Sequence, residues 1–430
     1  MPAHFFYESI KMAAIEATSQ VLTTADGRPL REALAVAQRR AKWRAFLLVA
    51  PLLAFILITF VSPIVQVLQQ SVYNPRFSAN MPGISAWFAS HPVGTVPDEA
   101  AYSILVTDLK TAADAKTVAV AGERVNYAMP GTRSLFTKAG RDAKNLTPPF
   151  MDSLPALDAQ WGTPELWGAM RQVSSAYTAD FFLNAVDLKR DVNGAIVQAP
   201  PEERVYVMLF VRTFAMSALI TVLCLILGYP VAHLLAVLPI RTSNLLMILV
   251  LLPFWTSLLV RTTSWIVLLQ GQGVVNSILV ALGLIGTDGR LEMINNRMGT
   301  TIAMTHILLP FMILPIYSVM RPIPQTYVRA ARSLGATSWT AFRRVYFPQT
   351  VPGIGAGTLL VFILSVGYYI TPALVGGSTG TLISNMIAFH VNKSNNWSLA
   401  AALATILLAA ILILYWLYDK IVGIDKLKLG

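Results

Sequence analysis

Apolar residues in this chain gather into long blocks, and polar residues are mostly confined to the segments between them. Six blocks reach the roughly 20 mostly apolar residues that a helix needs to cross a bilayer. They are Ala45–Leu68, Val205–Gly228 (apolar onward to Leu238), Leu245–Leu269, Gly299–Met320, Gly353–Val375 and Ser398–Val422. Soluble helical cores do not repeat such blocks six times, so the pattern predicts an all-α polytopic membrane protein. Prolines fall inside several blocks, and neighbouring helices tolerate them by re-satisfying the freed backbone groups.

Two intervening stretches have patterns of their own. Residues 69–204 mix charges of both signs and predict a small, mostly helical insert, with a poorly ordered loop as the alternative. Within it, "PDEAAYSILVTDLKTAADAKTVAVAGERVNYAM" has helical spacing with Asp98 placed to cap its start, and "TPELWGAMRQVSSAYTADFFLNAV" reads as another helix. Asn193-Gly194, between short alternating runs, signals a hairpin with a type I′ turn. The second stretch is "RAARSLGATSWTAFRRVYFPQT", Arg329–Thr350. Pro324 can open a helix that places Tyr327, Ala330, Ala331 and Leu334 on one packed stripe. Gly335 then supplies a left-handed stop, Ser338 an N-cap for a second helix over Trp339–Tyr346, and Phe347-Pro348 its end. The result is a helix–turn–helix elbow. On pattern alone it fits an amphipathic interfacial helix held by anionic lipid.

Composition agrees with the blocks. Hydrophobic residues make up 55% of the 430 and charged residues only 13%, where soluble domains carry about 25%. A formal net charge of +11 could serve nucleic acid, but many of the basic residues flank apolar blocks instead of lining a soluble face. The N-terminal tail is too long and polar before its first block to read as a secretory signal. It has a helical tendency at Arg31–Arg40. Orientation follows lysine and arginine in the short loops. One side collects Arg39, Arg40, Lys42 and Arg44, then Arg241, then Arg321, Arg329, Arg332, Arg343 and Arg344, and finally Lys420, Lys426 and Lys428. The other short loops are nearly neutral, with Asp288, Arg290, Glu292 and Arg297 in one and Lys393 in the next. Both termini and the elbow are therefore expected in the cytoplasm, and the insert outside. The expected organisation is a tail over 1–44, a first span over 45–68, the insert over 69–204, a five-helix core over 205–422 with the elbow at 324–350, and an end segment over 423–430.

The spacing within the elbow is specific. Ala330-Ala331, three residues, Gly335, nine residues, Val345, one residue, Phe347-Pro348 resembles the Glu-Ala-Ala loop of ABC importer permeases. The glutamate position is Arg329 here, a departure from that pattern. "LILGYPVAHLLA", "LLPFWTSLLVRTTSWIVLLQGQGVVNSILVALGLI", "LSVGYYITPALVGG" and "MIAFHV" look like the spermidine/putrescine permease branch, and the resemblance covers Val205–Val422 well and the insert not at all. It implies a type I importer fold in a bacterial inner membrane. Its partners would be a cytoplasmic ABC ATPase, a second and related permease subunit, and an extracytoplasmic substrate-binding protein. It implies that Ala330, Ala331, Arg332, Gly335, Val345, Phe347 and Pro348 couple to the ATPase.

Other chemistry finds little footing. The lone Cys224 excludes a disulfide framework or a cysteine zinc site. No G-x-x-x-x-G-K-[ST] loop is present, and "GGSTGTLIS" lacks the lysine, so no ATP site or other cofactor is expected in this chain. His233, His306 and His390 are isolated and read as packing residues. Apart from Asp419 near the end of the sixth block, the spans contain no Asp or Glu. For a polyamine they offer only aromatic faces at Trp255, Trp265, Tyr368 and Tyr369. Arg261 lies midway through the third block, where a charge costs about 2.5–3.5 kcal/mol. It is either a structural anchor bonded to backbone carbonyls or a lining residue suited to an anionic or zwitterionic solute. Pro372 is expected to break the fifth span just after Tyr368, Tyr369 and Thr371, placing these residues on the translocation path. An amino-acid-like, opine or phosphonate solute is the alternative to a polyamine. A stand-alone secondary transporter is less favoured, because neither inverted repeats nor buried carboxylates are apparent.

Overall fold

A computed structural model describes residues 30–191 and 194–422. The chain falls into two compact units, Met1–Val67 and Leu68–Gly430. Among the described residues, six helices are long and apolar enough to cross a membrane: 37–70, 201–237, 258–281, 297–320, 338–367 and 397–420. They are called spans one to six below.

Span one belongs to a helix that opens at Leu30, so the basic flank Arg39–Arg44 is already helical. A single π-turn at Leu57–Val61 interrupts it, with the Ser62 N–H bonded to the Leu57 carbonyl. Pro63 follows directly. A proline lacks the N–H for the usual i→i−4 bond, and its ring collides with the carbonyl four residues back. One extra residue in the turn moves that carbonyl aside.

In the second unit, span two (Tyr206–Val237), span four (Arg297–Met320) and span five pack together around one core. Its buried members include Ile220, Cys224, Leu235, Met304, Met312, Ile316 and Val361. Span six (Trp397–Val422) joins through a second cluster of Leu209, Val366, Ile383, Leu399 and Leu403.

The third crossing departs from the single helix expected over Leu245–Leu269. A helix over Ile240–Leu251 ends in a 3₁₀ turn at Leu252–Trp255, and a second helix runs from Leu258 to Leu269. Pro253 at the turn cannot supply the N–H needed to carry the first helix onward. A further helix, Val274–Ala281, follows.

The insert is helical and folded around its own core. Trp161, Phe136, Leu105, Leu154 and Met170 are fully enclosed there. Asp98 caps its second helix, Glu99–Asp114, by accepting from the Ala101 N–H at 2.9 Å. Each of the two long helical readings is divided, however. The first breaks at Lys116, whose φ of 58° lies in the left-handed region, before a helix over Val118–Asn126. The second divides into Pro164–Ser174 and Asp180–Ala185. The first break returns Val118, Ala121 and Val125 to this core, whereas the second sends Phe181 and Ala185 into a different cluster, with Leu209, Leu399 and Leu403. Strands Leu188–Arg190 and Ile196–Gln198 pair antiparallel as the hairpin pattern predicts, and Asn193 of the expected turn lies outside the described residues.

Candidate translocation path and coupling elbow

The elbow begins with a helix over Gln325–Ser333 that Pro324 precedes. Gly335 takes φ +90°, its N–H bonds the Arg332 carbonyl at 3.0 Å, and the Ala336 N–H reaches the Ala331 carbonyl at 3.1 Å. These two bonds form a Schellman closure, which needs a residue comfortable in the left-handed region. The N-cap of the next helix is Thr337, not Ser338. The Thr337 hydroxyl accepts from the Thr340 N–H at 3.2 Å. Nor do Phe347 and Pro348 end that helix. It runs from Ser338 through a π-turn at Phe342–Tyr346 into Phe347–Gly367, with the Phe347 N–H bonded to the Phe342 carbonyl. The device is the one seen before Pro63, and it joins the elbow to span five as one continuous rod.

The predicted packed stripe is only partly packed. Val328 and Ile323 face the core, Ala331 is half-buried and Ala330 is exposed. Tyr327, Leu334 and Trp339 are 52%, 89% and 68% exposed, so an apolar surface is left open at the bend. Phe342 anchors the elbow on span two, with ring centroids 6.4 Å from Tyr229 and 6.2 Å from His233. Val345 is half-buried, and Arg329, Arg332 and Pro348 are exposed.

The residues expected on the path lie around two interrupted helices. At the first break, the Arg261 guanidinium turns back to donate to the Thr256 carbonyl at 3.0 Å, to the Thr256 hydroxyl at 3.2 Å and to the Pro253 carbonyl. These carbonyls cannot all be bonded within the helices, and the arginine takes the place of the missing N–H donors. Trp255, between them, is 77% exposed. One turn beyond Arg261, Trp265 donates to His306 Nδ1 of span four at 3.2 Å.

At the second break, span five stops at Gly367, four residues earlier than a break at Pro372 would place it. Tyr368 and Tyr369 are extended or irregular, and Pro372 sits in the first turn of a short helix, Ile370–Val375, where a missing N–H costs nothing. Ser384 Oγ donates to the Tyr368 carbonyl at 2.6 Å and Asn385 Nδ2 to the Tyr369 carbonyl at 2.7 Å. The two breaks meet at Thr262 and Thr371, both fully buried, whose hydroxyls are 3.5 Å apart. Arg261, Trp265 and Thr371 thus cluster on adjoining elements, Tyr369 is exposed nearby in sequence, and Trp255 lies at the other end of the first break.

Sequence reasoning missed Thr262, Ser384 and Asn385, and it missed the arginines that hold the glycine-rich segment. Arg212 of span two donates to the Ser378 carbonyl at 3.0 Å, and Arg297 to that of Thr379 at 3.2 Å. Gly377, at φ +52°, rests on the Asn295 carbonyl with no room for a Cβ. The glycine run was the one local signal that another backbone approaches there.

Residues 206–422 match the family described as binding-protein-dependent transport system inner membrane component. The spermidine/putrescine transport system permease protein PotB of Haemophilus influenzae is 34% identical over 221 residues, which cover 51% of this chain and 77% of that protein. PotB of Escherichia coli is equally similar, with 80% of its length covered. A solved bacterial ABC transporter involved in the import of alginate aligns at 18% identity and a TM-score of 0.41, covering 52% of this chain and 80% of that one. The matched range begins at span two and leaves the insert outside it. With its apolar helices, its paired breaks and a match over half its length, the chain belongs to the family of binding-protein-dependent transport system inner membrane components.

Proposed function

We propose that the chain forms half of the pathway of an ATP-driven importer for a polyamine-like solute delivered by an extracytoplasmic binding protein. ATP hydrolysis belongs to a separate cytoplasmic subunit, which seats on the elbow, and a second, related permease completes the pathway. The observation that carries this reading is the elbow: a rigid Schellman bend leaves Tyr327, Leu334 and Trp339 uncovered while its far end continues as span five. A force applied at the bend is delivered along one rod to the break at Tyr368, where the path residues lie. The lysine and arginine bias supports a cytoplasmic elbow and termini and an insert on the outer side. The polyamine assignment rests on the likeness to the PotB proteins.

The test is co-purification. Wild type should retain the ATPase, and Gly335→Asp should lose it, because an L-residue at φ +90° opens the Schellman turn. An ATPase held equally by both proteins would remove the elbow from the contact. Absence of any ATPase from wild type would sink the importer reading.

A further inference from the structure

A cation crossing this core meets no carboxylate, because beyond Glu203 the acids are Asp288, Glu292, Asp419 and Asp425, none of them midway through a span. It must be met by neutral oxygens and ring faces. Most main-chain carbonyls are committed to helices, and free ones occur where a helix stops. The first break of the third crossing is such a place. The carbonyls at its end carry the negative end of the helix dipole, which favours cations, and unwound backbone at helix ends is a recurrent cation site in transporters. A cation already sits there: the Arg261 guanidinium, bonded to the Pro253 and Thr256 carbonyls and to the Thr256 hydroxyl. Trp255, between these carbonyls in sequence, has an exposed ring of the kind that attracts cations.

A guanidinium and a primary ammonium present the same features to such a site, a positive charge and several N–H donors with no acceptor. We propose that the carbonyl end at Pro253–Thr256 is the cation site of the path, and that Arg261 is its built-in occupant, which an ammonium group of the passing solute displaces. This rests on the polyamine reading above. The other carbonyls at breaks differ. Those of Tyr368 and Tyr369 are held by the neutral side chains of Ser384 and Asn385. Those of Ser378 and Thr379 are held by the Arg212 and Arg297 guanidiniums, and no aromatic residue adjoins them in sequence. Among the described residues, the Pro253–Thr256 end joins a helix terminus and a resident cation to an exposed aromatic residue adjoining in sequence. Exchange also explains how a positively charged residue can line a path for cations: its charge is neutralised by carbonyl dipoles until the solute takes its place.

The test uses the chain purified with its partner subunits, comparing wild type, Arg261→Ala and Arg261→Lys. Arg261→Ala empties the site and should melt lower than wild type. Putrescine and methylguanidinium should each raise its melting temperature by several degrees, at concentrations that leave wild type unmoved and at which sodium has no effect. Arg261→Lys keeps a tethered ammonium and should not respond. Rescue by methylguanidinium alone, rescue by neither, or an equal response in Arg261→Lys overturns the assignment. If Arg261→Ala is not recovered, the comparison is its yield when each cation is present throughout purification, and failure of putrescine to restore it overturns the site equally. Putrescine uptake by wild type is measured in parallel. No uptake with a responsive Arg261→Ala removes the polyamine reading and keeps the cation site. Uptake with an unresponsive Arg261→Ala does the reverse.

Discussion

Asp187 lies 19 residues before Tyr206, the first helical residue of span two, and nonetheless caps it. Its carboxylate accepts the N–H groups of Val205, Tyr206 and Val207 at 3.1, 2.9 and 2.9 Å. A helix start leaves four such donors without partners, and its dipole favours a negative charge beside them. Asp187 itself holds φ +59°, a conformation that Asp and Asn adopt more readily than other side chains. Asp187→Ala should therefore lose both the cap and the local preference, costing about 2 kcal/mol in thermal unfolding. Asp187→Asn keeps the backbone preference and one acceptor oxygen, so it should lose clearly less. Equal losses would mean that the carboxylate is not what holds the start of the span.

At the scale of elements, the spans are defined as much by their interruptions as by their apolar runs. Pro63 and Pro348 each follow a π-turn and leave the helix continuous, whereas Pro253 lies in a turn where the helix stops. Where the helix stops, side chains from elsewhere hold the carbonyls. Ser384→Ala leaves the Tyr368 carbonyl without its donor, an expense of about 1–3 kcal/mol at a buried site. Uptake by reconstituted transporter should fall while the ATPase still co-purifies, since the elbow is untouched. Tyr368→Ala combined with Tyr369→Ala should likewise lower uptake and spare ATPase binding. Unchanged uptake in that double variant would remove the tyrosines from the path.

For the whole molecule, the insert is built into the permease, not tethered to it. Asn74 donates to Ser398 at the head of span six at 2.9 Å, and Tyr127 to the Asn395 carbonyl at 3.0 Å. Phe181 belongs to the same buried cluster as Leu209, Leu399 and Leu403. Arg124 stacks on that phenyl ring at 4.8 Å, and two of its guanidinium nitrogens, Nε and Nη2, have no hydrogen-bond partner among the described residues. Burial pulls its pKa down to about 10, with nearby Asp180 opposing the fall. A buried charge so poorly partnered contributes little, and Asp180 keeps its bond to Arg190 at 2.8 Å without it. Arg124→Met should leave the melting temperature unchanged or higher, whereas Arg124→Ala should lower it by opening a cavity beside Phe181. A large loss in the methionine variant would instead assign the guanidinium a role in joining insert to core.

Much of this architecture was written in local sequence. Block length gives the number of crossings, the Ala330–Pro348 spacing gives the elbow, and Gly335 gives its turn, because each depends on residues a few positions apart. The same reasoning misplaced what depends on distant partners. Whether a helix continues past Pro63 or Pro348 turns on an inserted π-turn, and where a helix stops another segment must hold the freed carbonyls. Ser384 and Asn385 do this for Tyr368 and Tyr369, and no periodicity announces it. Arg261 was visible as a charge midway through an apolar run, and either of two roles fitted it. Only the folded chain, by bending Pro253–Thr256 back within its reach, decided which oxygens it bonds. Local spacing fixes helices and turns through short-range sterics and hydrogen bonds, whereas the fate of an unsatisfied carbonyl is a tertiary matter, settled by whichever donor the packing brings near.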